Sequence, residues 1–173
     1  MVKKLAASLA LAAMALSAPT QAQNRPDFTE DEITAMALYA MPLAFSSLQR
    51  KCASVLDPQA YIYAYGDELS ERLRISANGQ FPYARAALMK FAGDREDPML
   101  TMVQNLPPET LEPLVSEMVT AKVFSEIKTS DCGEYDRVLA LLDPLPPENL
   151  AQLAGFLAVK ANREASTQGA LGL

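Results

Sequence analysis

Histidine and tryptophan are absent from this 173-residue chain, and cysteine occurs only twice. Without histidine, Ser-His and Cys-His nucleophilic sites, zincin motifs and histidine-ligated zinc or haem are all excluded. The lack of tryptophan removes the ring that best stacks on sugars. Glycine-rich loops and strand-like alternation of useful length are also missing. No apolar run reaches the roughly 20 residues needed to cross a bilayer, so no membrane span is expected.

The amino terminus carries a clear pattern. Lys3 and Lys4 precede an apolar run from Leu5 to Leu16, and Thr20-Gln21-Ala22 places small residues at the −3 and −1 positions of a cleavage site. This order of charge, apolar stretch and small residues is that of a secretory signal peptide, residues 1–22, cut near Ala22. Gln23 follows the cut instead of a cysteine, so no lipid anchor is expected. The mature protein is expected in the periplasm, or secreted.

Loss of Lys3 and Lys4 leaves 13 basic against 21 acidic residues, a balance of −8. Such a surface repels nucleic acid and anionic membranes, which need a basic patch. Residues 23–161 are long enough for a single domain with its own core, and 162–173, with Ser166, Thr167, Gln168, Gly169 and Gly172, reads as a flexible tail.

Cys52 and Cys132 form an isolated even pair in an exported chain, which is most simply a structural disulfide. A redox thiol at Cys132, favoured by a helix start, lacks the partner that a Cys-x-x-Cys motif would supply.

Helical periodicity organises the remainder. Thr29-Glu30-Asp31-Glu32 is a capping box, and Ile33, Met36, Ala37, Ala40 and Ala44 mark one face of a first helix that Pro42 should kink or split. Asp57-Pro58 predicts a second helix running to Asn78-Gly79, with Ile62, Tyr65, Leu69 and Leu73 buried. Its outer face offers the pairs Glu68 with Arg72 and Glu71 with Arg74. A third helix is expected from Pro82 to Ala92, then a polar linker at Asp94–Pro98 and a short helix from Met99 to Gln104.

An internal repeat follows. Leu106-Pro107-Pro108-Glu109-Thr110-Leu111 with Leu114 matches Leu145-Pro146-Pro147-Glu148-Asn149-Leu150 with Leu153. Each copy, about 97–121 and 136–160, reads as helix, Leu-Pro-Pro-Glu corner and helix, the prolines stopping one helix and pre-setting the next. The fold class expected is all-α, a compact bundle of about six helices arranged as successive helical hairpins and closed by one disulfide.

Motifs that might carry chemistry are isolated. Ser125-Glu126-Ile127-Lys128 has the Ser-x-x-Lys spacing of penicillin-interactive enzymes, without their other motifs. Glu68 and Glu71 are the one carboxylate pair worth weighing for glycoside hydrolysis. Met99 and Met102 lack the repeated thioethers of a copper site, and Asp94 to Asp97 lack the alternation of a calcium loop. No catalytic residues, metal or cofactor are therefore expected. Tyr61, Tyr63 and Tyr65 crowd together before Gly66, and Tyr61 and Tyr65, with Tyr39 and Tyr83, could line an aromatic groove for a peptide or small apolar ligand. The reading is an exported, non-catalytic binding or adaptor module, with an aggregation-preventing holdase as a variant. The alternative is a cell-envelope hydrolase using paired carboxylates, one of them with a raised pKa.

Overall fold

A computed structural model describes residues 28–92 and 105–170. The expected signal peptide, the expected linker at 94–98 and the helix expected from Met99 to Gln104 lie outside these residues. Among the described residues are seven α-helices and no strand: α1 (Glu30–Cys52), α2 (Tyr61–Ala64), α3 (Gly66–Ala77), α4 (Phe81–Ala92), α5 (Pro108–Glu126), α6 (Cys132–Leu142) and α7 (Pro147–Ala170). This is the all-α bundle expected, with Cys52 and Cys132 joined in a disulfide.

Helix α1 is the axis of the molecule. From Ile33 to Gln49 it carries no charge, and none of those residues is exposed. A helix that is apolar all round must be covered on every side. Helices α3, α4, α5 and α7 pack against it, α7 most extensively. The core is consequently strung along α1 in three clusters. Tyr39 meets Phe81 of α4 and Leu111 of α5; Phe45 meets Ile62, Leu69 and Leu73 of α2 and α3; Cys52 meets Ile127 and Cys132.

The start of α1 is the expected capping box, with Thr29 Oγ1 accepting from the Glu32 amide at 3.2 Å and the Glu32 carboxylate accepting from the Thr29 amide at 2.8 Å. Pro42, expected to kink or split the helix, does not split it. It removes one donor, but Phe45, Ser47 and Cys52 beyond it are buried in contact with other helices, and that packing holds the helix together. Ser47, fully buried, donates to Leu43 O at 2.8 Å.

The predicted second helix forms as two pieces. Asp57 Oδ1 accepts from the Gln59 amide, a local turn, and the helical path begins only at Tyr61. It breaks at Tyr65 and resumes as α3. Tyr65, assigned to the buried stripe, is 57% exposed, whereas Ile62, Leu69 and Leu73 are buried. Helix α3 ends at the expected place, with Gly79 in the left-handed region at φ 73°.

Both Leu-Pro-Pro-Glu corners turn in the same way. Thr110 and Leu111 donate to Pro107 O, as Asn149 and Leu150 do to Pro146 O. Helix α7 continues through Asn162 to Ala170, into the stretch expected to be a tail. Good helix formers at 161, 163 and 164 and the Lys160–Glu164 pair at 4.0 Å favour that continuation.

Candidate functional site: an apolar cavity beside the second corner

The four tyrosines do not share one groove. Tyr39 is a buried stitch between α1 and α5: its ring lies 5.3 Å from that of Phe81, and its hydroxyl is 2.7 Å from Ser116 Oγ and 3.3 Å from Glu112 O. Burial raises its pKa, the Ser116 hydrogen bond opposing. Tyr61 and Tyr65 are brought together, their rings stacked at 5.3 Å, with Tyr61 packed against the Phe45 cluster. Tyr83 is 66% exposed and borders a separate hollow with Asp31 and Glu32.

The other motifs are equally dispersed. Ser125 Oγ donates to Lys122 O at 2.7 Å, so its hydroxyl is committed to its own helix, and Lys128 is exposed in the following loop. Glu71 is held by Arg74 at 2.6 Å as expected, but Arg72 turns away from Glu68 to Asp143. Among the described residues, the carboxyls with displaced pKa values, Glu32, Glu71, Glu126 and Glu148, all lie below the usual carboxylate range. The leading causes are hydrogen bonds from the Thr29 backbone, Arg74, Lys122 and Ser76 respectively. That is the opposite of what a general acid requires.

Where the sequence pattern marks nothing, the packing leaves a cavity of about 240 Å³. Helix α1 supplies Met41, Ala44, Phe45 and Leu48; α3 supplies Leu69 and Leu73; α6 supplies Tyr135, Val138, Leu139 and Leu142. Val123 and Ile127 also line it, and Leu145, Pro147 and Leu150 bring in the second Leu-Pro-Pro-Glu corner. Asp143 and Tyr135 are the polar residues of the lining. Burial raises the Tyr135 pKa, and the nearby carboxylates of Asp131 and Glu134 add to the shift.

The corner is fastened to α3. Arg72 donates through Nη1 to Asp143 O at 3.0 Å and through Nη2 to Asp143 Oδ1. One turn further on, Ser76 Oγ donates to Glu148 Oε1 at 2.5 Å. Residues 69, 72, 73 and 76 share a face of α3 by helical spacing, so the face that lines the cavity also carries both fasteners. Leu142 and Leu145 remain 38% and 44% exposed at the rim. Helix α2 is seated on α6 by a tertiary cap, the Asp136 carboxylate accepting from the Tyr61 and Ile62 amides at 3.1 and 2.8 Å.

A half-open hollow lined almost wholly by apolar side chains favours hydrocarbon surface. Among the described residues, no group of three or more acidic or cysteine side chains is placed to hold a metal ion, and no helix is long and apolar enough to cross a membrane. No protein-family model matches this chain, and neither the curated proteins nor the solved structures yield a match.

Proposed function

We propose that this protein is an exported, non-catalytic module that binds a small apolar ligand in the cavity among α1, α3, α6 and the second Leu-Pro-Pro-Glu corner. The observation that carries this reading is the cavity lining, apolar apart from Asp143 and Tyr135. A well-packed interior holds few voids larger than a water molecule, whereas dry apolar cavities of about 150 Å³ take up benzene. At about 240 Å³ the space lies below the roughly 300–1,000 Å³ of drug-sized sites, which suits a short chain or a single ring. Export is supported by the amino-terminal pattern, and the disulfide suits an oxidising compartment.

Uptake of a naphthylamine dye that fluoresces in apolar surroundings tests this reading. Ala44→Phe, which pushes a ring into the lumen, should abolish dye uptake while helix content and cooperative unfolding persist. Equal uptake by both proteins would remove the cavity as the site.

A second reading, docking of an unfolded client or protein partner, is favoured by one separate observation. Leu114 and Met118 are 50% and 73% exposed, and their repeat equivalents Leu153 and Leu157 are 53% and 47% exposed. Each copy of the repeat thus presents the same apolar pair one turn apart. Suppression of client aggregation that disappears on Leu114→Ser with Met118→Ser, with dye binding retained, would support this surface over the cavity.

A further inference from the structure

Helix α6 brings an apolar stripe to the cavity without burying it. Tyr135, Val138, Leu139 and Leu142 stand at i, i+3, i+4 and i+7, the pattern of a helix that lies along a core, and all four line the cavity. Each stays partly exposed, and Cys132 is the one buried residue of the helix. The backbone of α6 packs closely on α2 and on the 3-10 turn Thr129–Asp131, and among the described residues no comparable packing joins it to α1, α3 or α7. Closing such a gap would remove apolar surface from water, and interiors are normally packed without one, so α6 must be held where it is.

The attachments that hold it are covalent or polar. Its first residue is bonded to Cys52 at the end of α1. Its middle is joined to α2 by the Asp136 carboxylate, which accepts from the Tyr61 and Ile62 amides. Just past its last residue, Arg72 of α3 donates through Nη1 to Asp143 O at 3.0 Å and through Nη2 to the Asp143 carboxylate. This last contact leaves Arg72 Nε buried with no acceptor among the described residues, a costly state for a donor. It also passes over Glu68, the partner that helical spacing offers.

We infer that Arg72 is a positioning residue for the cavity: by gripping Asp143 it fixes how far the carboxyl end of α6 stands from α1, and so the size of ligand admitted. This rests on the small-ligand reading above and adds what sets the width of that site. The start of α6 is fixed by the disulfide, so its far end is where the width can change. A planar guanidinium that gives two donors to one residue fixes direction as well as distance. Arg72 is not a lining residue and acts through α6, holding the site open before a ligand arrives.

The test measures toluene and butylbenzene binding to the full oxidised protein by calorimetry, with urea unfolding alongside. Without the grip the apolar faces approach each other, so the larger ligand should suffer more. Arg72→Met should weaken butylbenzene by about tenfold or more and toluene by about threefold at most. The urea midpoint should move little, because a part-exposed ion pair contributes little to stability. Arg72→Lys, which keeps the charge and one contact, should restore part of the butylbenzene affinity and serves in place of Arg72→Met if that variant does not fold. Arg74→Met, which removes only the exposed pair with Glu71, should leave both ligands unchanged. Equal weakening of the two ligands, or no weakening of either, would overturn the positioning role and leave the cavity reading in place. Failure of both ligands on the unaltered protein would overturn both.

Discussion

An alanine at position 155 would place its Cβ 2.7 Å from Thr34 Oγ1 and 2.8 Å from the Glu30 carbonyl oxygen, so the packing of α7 on the start of α1 depends on a missing methyl group. Backbone cannot swing aside, and overpacking of about 1–3 kcal/mol outweighs the ~1 kcal/mol that alanine gains in helix propensity. Gly155→Ala should therefore lower the urea midpoint. At Gly66 the nearest atom to an added Cβ is the mobile amide end of Gln49, at 2.9 Å, and Gly66→Ala should be close to neutral in the same assay. Asp136 is a second single-residue dependency. Because its carboxylate holds the first two amides of α2, Asp136→Ala should cost about 1–2 kcal/mol, as the loss of a helix cap does.

At the scale of elements, polar pairs between helices decide how the pieces meet. Lys90 of α4 reaches Glu32 at 3.0 Å, and Glu32 also serves the capping box of α1. The Thr29 backbone hydrogen bond, with help from Lys90, holds the Glu32 pKa below its ordinary 4.5. A carboxyl whose folded pKa is depressed contributes stability above its unfolded pKa and loses it as pH falls through the folded value. Glu32→Gln should accordingly reduce the pH dependence of unfolding below about pH 4.5 and leave its slope near neutrality unchanged, as followed by circular dichroism. The pair is part-exposed, so the effect is small. The corner between α6 and α7, which contributes to the cavity lining, is fastened to α3 by Arg72 and Ser76. Ser76→Ala, which releases Glu148 without touching the lining, should speed dye exchange in stopped flow with little change in stability.

For the whole molecule, the Cys52–Cys132 bond links the end of the axial helix to the start of α6 across 80 residues of sequence. The chain-entropy model assigns a loop of that length about 4.5 kcal/mol, a large share of the 5–15 kcal/mol typical of a domain. The bond is buried beside Ile127 and Tyr135, which also line the cavity. Reduction should lower the unfolding midpoint and weaken ligand uptake together. A Cys52→Ala, Cys132→Ala protein that unfolds earlier yet binds dye normally would show that the disulfide acts on stability alone.

Much of this architecture is legible along the chain because its causes are short-range. The capping box at Thr29, the stop at Gly79, the paired Leu-Pro-Pro-Glu corners and the apolar spacing of Leu69 and Leu73 each act within one or two helical turns, and two cysteines allow one intramolecular pairing. The charge-free run from Ile33 to Gln49 also announces an axial helix, a signal that outweighs Pro42. Other features depend on residues more than 70 positions apart. Arg72 prefers Asp143 to its helical neighbour Glu68, Asp136 rather than Asp57 caps α2, and Tyr39 is spent on Ser116. The candidate site belongs to this second kind. Periodicity states which face of each helix is apolar, but a cavity forms where several such faces meet and their side chains do not fill the space between them. That shortfall is a property of tertiary packing, and local sequence carries no mark of it.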